Sequence, residues 1–277
     1  LKTPKLIKNY SDIFKEIPRL VRTRNYINHS LVKLKSIPRK VDNSNNWIRF
    51  PFYHYVYLDQ RKNFSNQLDY MKKYGDFISL DTAVEMINSG EKIDGRYFCV
   101  TFDDGMDSCL DIAVPILNER NISAAFFIMT EYTSNVANKD GRIEAFIPGL
   151  KYKARYLSWS DCREMLNAGM IIGSHTRRHE KLINLSDGEV YDELKISKEI
   201  IENNLNIVCN HFAAPWGRPG IDYTQGRDDI IAAKVGYKSF LAVNRGPMTQ
   251  GSSPYFINRD FFNAHDDISR LRYYFGE

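Results

Sequence analysis

The chain has 277 residues, 43% of them apolar and 26% charged, with a formal net charge of +4. These proportions exclude a fibrous or low-complexity chain and fit one large α/β domain or two small ones. No run approaches the ~20 consecutive apolar residues of a membrane-spanning helix, and the four cysteines, Cys99, Cys109, Cys162 and Cys209, form no CxxC pair. That spacing argues against a zinc ribbon or a dithiol redox motif and for scattered thiols in a reducing compartment.

Charge is spread unevenly. Residues 1–40 carry eleven Lys and Arg against Asp12 and Glu16, a net of +9, so residues 41–277 sum to −5. Ile7, Tyr10, Phe14, Ile17 and Val21 recur there at helical spacing, with Pro18 breaking the pattern. Residues 1–45 are expected to be a basic helical extension on a mildly acidic domain, 46–277. Its basic face is either solvated or in peripheral contact with anionic lipid head groups or a phosphate-bearing substrate. No nucleic-acid-binding module follows, so nucleic acid is not expected as a partner. The start, "LKTPKLIKNYSDIF", lacks the apolar region of a secretion signal, and the expected location is the cytoplasm, in solution or at the membrane surface.

From Trp47 onward the elements alternate. "IRFPFYHYVY" reads as a strand, followed by helices over "FSNQLDYMKKYG" and "SLDTAVEMINSG", the second capped by Ser79 or Asp81. "RYFCVTF" is a strand, "DSCLDIAVPILNERN" a helix and "SAAFFIMT" a strand. Residues 130–156 read as one long irregular connection, a flap beside the site. Helix "SWSDCREMLNAG", strand "MIIGSH", the long helix "LSDGEVYDELKISKEIIENNL", strand "CNHFAAPWG", helix "DDIIAAKVGY" and strand "SFLAV" complete the series. Strands apolar on both faces, each followed by a helix, predict a parallel sheet wrapped by helices. About seven such units suit a closed or nearly closed barrel, similar to a TIM barrel.

Polar residues gather where these strands end. "YFCVTF" runs into Asp103-Asp104-Gly105, "MIIG" into "SHTRRH" with His175 and His179, "HFAA" into "PWGRPG", and "PFY" into His54. Those are the carboxyl ends of parallel strands, where barrels build their sites. Two histidines four apart on a helical turn could grip one ion, and a carboxylate beside them would leave open positions on it for a water. One of the two aspartates would bind the ion and the other would take a proton from the water; Gly105 lets the chain turn. The plainer alternative for the pair is a helix cap with a solvated neighbour.

"TFDDG" at 101–105, "SHTRRH" at 174–179 and "FAAPWG" at 212–217 resemble the motifs of the polysaccharide deacetylase family, also called the NodB homology domain or carbohydrate esterase family 4. The resemblance covers roughly residues 48–260. It implies a distorted (β/α)7 barrel, with Asp103 as general base and Asp104, His175 and His179 as ligands of a divalent metal, zinc first and cobalt or nickel as alternatives. It implies that Pro215, Trp216 and Gly217 form the oxyanion side of the site, through the Trp216 amide, and that the reaction removes an acyl group from an N-acetylated sugar.

Three departures stand out. The family's third motif has an arginine two residues before the proline, where this chain has Ala213; Arg259 in "FINRD" is the candidate substitute. The late DxxW element is absent. The late Leu-x-His element is matched only loosely by "FFNAH", ending in His265, whereas "FYHYV" resembles the early strand of a rearranged branch. His54 is therefore preferred as the acid or substrate-contacting histidine, His265 second, and His211 is expected to be structural. The expected activity is metal-dependent sugar N-deacetylation on a nucleotide-linked, lipid-linked or oligomeric substrate in surface glycan synthesis. The alternatives are an inactive carbohydrate-binding relative and a hydrolase of a non-sugar amide.

Overall fold

Seven short strands carry side chains alternately inward and outward, and both directions are buried. They are β1 (Pro51–Tyr53), β2 (Val100–Phe102), β3 (Ala124–Ile128), β4 (Ile171–Ser174), β5 (His211–Ala213), β6 (Ser239–Leu241) and β7 (Asp260–Phe261). The structure is a computed structural model and describes residues 6–16, 19–41, 46–134, 143–146 and 153–276. All seven strands are parallel, in the order β6-β5-β4-β3-β2-β1-β7. The segment entering β7 closes the ring. Ile257 N–H donates to Phe240 O (3.0 Å) and Ala242 N–H to Ile257 O (2.9 Å), while Asp260 N–H donates to Phe50 O (2.9 Å). One stretch of chain thus bonds to β6 on one side and β1 on the other, and the sheet is a distorted (β/α)7 barrel.

Register explains the apolar runs. Phe102 pairs with Phe126, and Phe126 with Ile172. These outward residues meet the helices in the main core, where the Phe102 and Phe126 rings stack at 4.7 Å. Their inward neighbours, Ala125, Phe127, Ala213 and Leu241, belong to a second cluster inside the barrel. The helices are α1 (Tyr10–Glu16), α2 (Arg19–Ser36), α3 (Arg61–Lys72), α4 (Leu80–Asn88), α5 (Val114–Asn118), α6 (Thr130–Ser134), α7 (Trp159–Asn167), α8 (Asp187–Leu205), α9 (Asp228–Val235) and α10 (Ile268–Phe275). Ser79 Oγ accepts from Thr82 N–H to start α4, and Ser158 and Ser186 form capping boxes at α7 and α8.

Several elements differ from the sequence expectation. "IRFPFYHYVY" and "RYFCVTF" each split in two. Asn46–Arg49 and Gly95–Phe98 pair in a separate three-stranded parallel sheet with Asp76–Phe77, and only the second halves enter the barrel. The helix after Gly105 opens with a π turn, Cys109–Ala113, before α5. Residues 130–156 are not wholly irregular: α6 leads to an antiparallel pair, Ile143–Phe146 with Lys153–Tyr156. In the extension, Ile7 lies ahead of α1 and bonds to Lys153 O at 3.0 Å instead of joining a helix; Ile17 and Pro18 lie outside the described residues. Among the described residues no helix is long and apolar enough to cross a membrane.

Candidate metal-assisted hydrolytic site

Two adjacent carboxylates need a backbone that separates them. Asp103 follows β2, and its N–H continues the ladder to Tyr53 O at 2.9 Å. Asp104 then takes φ 70° and Gly105 φ 69°. Aspartate tolerates the left-handed region better than most residues, and at Gly105 a Cβ would stand 3.0 Å from Ile128 Cγ2. The reversal sends the two side chains to different partners.

Asp103 faces Arg259. Arg259 Nη1 donates to Asp103 Oδ1 at 2.7 Å and Nη2 to Oδ2 at 2.8 Å, with both side chains buried. Arg259 Nε donates to Ala242 O at 3.2 Å, and the guanidinium lies 4.4 Å from the centroid of the Phe52 ring. A planar fork on both oxygens fixes the carboxylate plane and leaves each oxygen a further lone pair. Burial pushes the Asp103 carboxyl up, but Arg259, with His175 and His54, holds it below the usual value.

Asp104 faces the histidines. Its Oδ1 lies 3.5 Å from His175 Nε2 and 3.3 Å from His179 Nε2. His175 Nδ1 donates to Ala213 O at 2.7 Å, which leaves the Nε2 lone pair free. The pair does not ride on a helical turn as expected. It sits on the loop after β4, where Thr176 (φ 65°) and His179 (φ 62°) are both left-handed and His179 N–H donates to Thr176 Oγ1 at 3.0 Å. One ligand atom from each of Asp104, His175 and His179 falls within 4.8 Å of the others. Asp104 Oδ1 is buried without a hydrogen bond among the described residues. An orphaned carboxylate oxygen facing two imidazole nitrogens is costly unless something cationic joins them, and this donor set fits a divalent ion with coordination positions to spare. Burial raises the Asp104 carboxyl, yet His54, His175 and His179 hold it well below its ordinary value; burial lowers His179 despite Asp104.

Trp216 borders the cluster. It takes φ 61°, its ring centroid is 5.3 Å from that of His179, and it is 41% exposed. Gly217 (φ 71°) completes the turn, since a Cβ there would come within 2.7 Å of Val243 Cγ2, and Gly217 N–H bonds back to Pro215 O at 2.6 Å. The Trp216 N–H has no acceptor among the described residues. Among the described residues six that are not glycine have positive φ. Four of them, Asp104, Thr176, His179 and Trp216, lie in this cluster, which is where stored backbone strain tends to gather.

His54 sits just past β1, its ring edge-on to Phe52 (5.7 Å) and Phe261 (5.2 Å), close enough to act electrostatically on both aspartates. His265 is not brought to the cluster. It stacks on Tyr10 at 3.8 Å and its Nε2 is 3.0 Å from Tyr10 Oη, because the extension folds over that part of the rim. His211 lies at the opposite end of the barrel, bonded to Asp81 and Ser239.

Two buried carboxylates escaped the sequence reading. Glu193 accepts Arg177 N–H (3.1 Å) and Arg178 Nε (2.8 Å), pinning the histidine loop. Asp222 accepts Arg218 N–H (3.1 Å) and Nε (2.8 Å) and pairs with Lys181 at 2.6 Å, tying the histidine loop to the Trp216 loop. Glu193 had a signal: it shares the buried face of α8 with Val190, Leu194 and Ile201. Asp222 had none, since its partners come from separate loops.

The barrel gathers a clamped carboxylate and a set of residues that could hold a metal ion on one rim. The sequence profile of the family described as "Polysaccharide deacetylase" matches residues 90–239, more than half of the chain, and the chain belongs to that family. The Bacillus subtilis polysaccharide deacetylase relative YxkH is 22% identical over 174 residues, 63% of this chain and 54% of that protein, so the chain spans about half the length of the curated relative it matches. The Streptococcus pyogenes deacetylase PplD, solved in complex with acetate, superposes with a TM-score of 0.67 at 22% identity, over 84% of this chain and 99% of that one. IcaB from Ammonifex degensii gives 0.69 at 20% identity, over 84% and 98%. At these identities the structural likeness is one of fold.

Proposed function

We propose that the chain is a metal-dependent N-deacetylase that hydrolyses the N-acetyl group of an amino sugar in surface glycan synthesis, on a nucleotide-linked, lipid-linked or oligomeric substrate. The observation that carries this reading is the paired arrangement on one rim: Asp103 clamped by Arg259 beside an orphaned Asp104 Oδ1 facing two histidine nitrogens. A divalent ion held by Asp104, His175 and His179, zinc first and cobalt or nickel as alternatives, would supply an acidified water and Lewis-acid polarisation of the acyl oxygen. Asp103, kept ionised and oriented by Arg259, accepts a proton from the attacking water. The new C–O bond forms at the acyl carbon while the Trp216 N–H donates to the oxygen that gains charge. His54 protonates the leaving nitrogen as the C–N bond breaks, releasing acetate and a free amine. Aromatic walls support a sugar ligand. Trp216 is partly exposed, and the half-buried Tyr55 and Tyr132, their hydroxyls raised first by burial, also feel the Asp104 charge.

The test is acetate release by zinc-loaded protein from GlcNAc oligomers, nucleotide-linked and lipid-linked N-acetyl sugars, with Asp104→Ala as control. Release that disappears in the control supports the reading, and the responsive class identifies the substrate. No release from any of them, with one metal bound per chain, overturns it in favour of a non-sugar amide.

A further inference from the structure

Helix α2 is mounted with its apolar face outward. It spans 18 residues, and Leu20, Ile27, Leu31 and Leu34 are 86%, 52%, 48% and 63% exposed. At about 100° per residue these four fall within about 40° of one line along the helix. Tyr26 and Ile37, also exposed, stand to one side of it. The opposite face is mixed, with half-buried Val32 on it, and Leu31 at the edge of the stripe also borders the space beneath. Ser36 is buried, and the half-buried Arg22 and His29 help line a cavity of about 770 Å³ between α2 and the domain, with Tyr10, His265 and Arg270. A surface helix ordinarily packs its apolar stripe on its own domain and wets the other face. Here the longer apolar stripe faces outward, and isolated exposed leucines are unremarkable whereas a continuous stripe calls for a partner.

The charges around the stripe say which partner. The helix carries Arg19, Arg22, Arg24, Lys33 and Lys35 and no acidic residue. Arg19, Arg24, Lys33 and Lys35 are exposed alongside the leucines. A symmetric pairing of two α2 helices would bring two +9 segments together, which like-charge repulsion opposes. We infer that the outward face of α2 docks on an anionic lipid bilayer, its leucine and isoleucine side chains entering the head-group boundary and its Arg and Lys meeting lipid phosphates. The cavity beneath α2 is also lined by Asn263 and Asp266, which follow β7 at the carboxyl-end rim. Docking therefore holds the β7 side of the rim next to the bilayer.

The test is co-sedimentation of the full chain with vesicles of phosphatidylcholine alone or mixed equally with phosphatidylglycerol, without substrate. Because no turnover is measured, its outcome is independent of the deacetylase reading. The wild-type protein is expected to pellet with the anionic vesicles only and to be released by high salt. Two variants, Leu20→Glu/Ile27→Glu/Leu31→Glu/Leu34→Glu and Arg19→Gln/Arg24→Gln/Lys33→Gln/Lys35→Gln, are each expected to lower the partition coefficient roughly tenfold or more. Circular dichroism and metal content unchanged from wild type would confirm that both remain folded. Wild-type protein that ignores anionic vesicles, or a glutamate variant that still binds like wild type, overturns the inference. So does a concentration-dependent dimer that the glutamate variant converts to monomer without any vesicle binding.

Discussion

Asp103 and Asp104 are neighbours in sequence and have separate electrostatic surroundings, one held by an arginine fork, the other facing two imidazoles. Asp103→Asn keeps the size and the burial but removes the carboxylate proposed as the base. Turnover is expected to fall about 10²–10⁴-fold with metal stoichiometry unchanged, measured by acetate release and elemental analysis; near-normal turnover would sink the assignment. Arg259→Ala removes the partner of a buried charge, a loss of about 3–5 kcal/mol. Urea unfolding should show that loss, and Asp103→Asn in the same background should recover part of it, since the two side chains act as one unit. Additive losses would show that the fork is not what makes Arg259 matter. At this scale the sequence was informative about residue types. "DDG" and the histidine pair mark the cluster, and the absence of an arginine at Ala213 points to Arg259. The early strand ending in His54 pointed to the histidine that neighbours the aspartates; what was not legible is that Tyr10, 255 residues away in the chain, draws His265 aside.

The loops between elements carry the strain. The histidine loop leaves β4 through left-handed Thr176 and His179, and Glu193 and Asp222 hold it in that path. Burial pushes the Asp222 carboxyl up, but Arg218 and Lys181 hold it below its ordinary value. The unfolded chain, with a carboxyl near 3.9, then binds more protons than the folded one. Its contribution to stability is full above about pH 4 to 5 and is lost as pH falls through the folded value. The difference in urea midpoint between wild type and Asp222→Asn should therefore shrink from about pH 6 to about pH 3; a constant difference would mean the carboxylate charge is not what matters. The same variant is expected to weaken metal binding about tenfold, as loss of supporting contacts around ligands does. Helical spacing suggested a helical turn for His175 and His179, since four residues apart is what a helix needs. Left-handed backbone at a β-branched threonine is a tertiary decision that no local propensity announces.

Across the whole molecule the barrel brings ligands from β2 and β4, and a base clamp from the approach to β7, to one rim. An ion held by Asp104, His175 and His179 would stabilise the folded state by mass action, by about 4 kcal/mol at a thousandfold excess over the dissociation constant. Chelation should lower the melting temperature of wild-type protein and leave that of Asp104→Ala unchanged. Equal shifts in both would place the responsive ion elsewhere. The barrel itself was legible because buried parallel strands must be apolar on both faces, as Val100–Phe102 and Ala124–Ile128 are. The separate sheet of Asn46–Arg49, Gly95–Phe98 and Asp76–Phe77 was not, since its first two strands lie in the same runs as barrel strands and only pairing partners distinguish them.

What the sequence determined by itself was periodicity and chemistry: the alternation of buried strands and amphipathic helices, the carboxylate and imidazole set at strand ends, and the +9 charge of the first forty residues. These follow from composition along the chain, which local spacing records. The tertiary structure alone decided that Arg259 reaches Asp103, that His265 stays with Tyr10, and that α2 turns its leucines away from the domain. Each of those depends on which distant surface an element meets, and contact energies between segments far apart in sequence leave no periodic trace in either one.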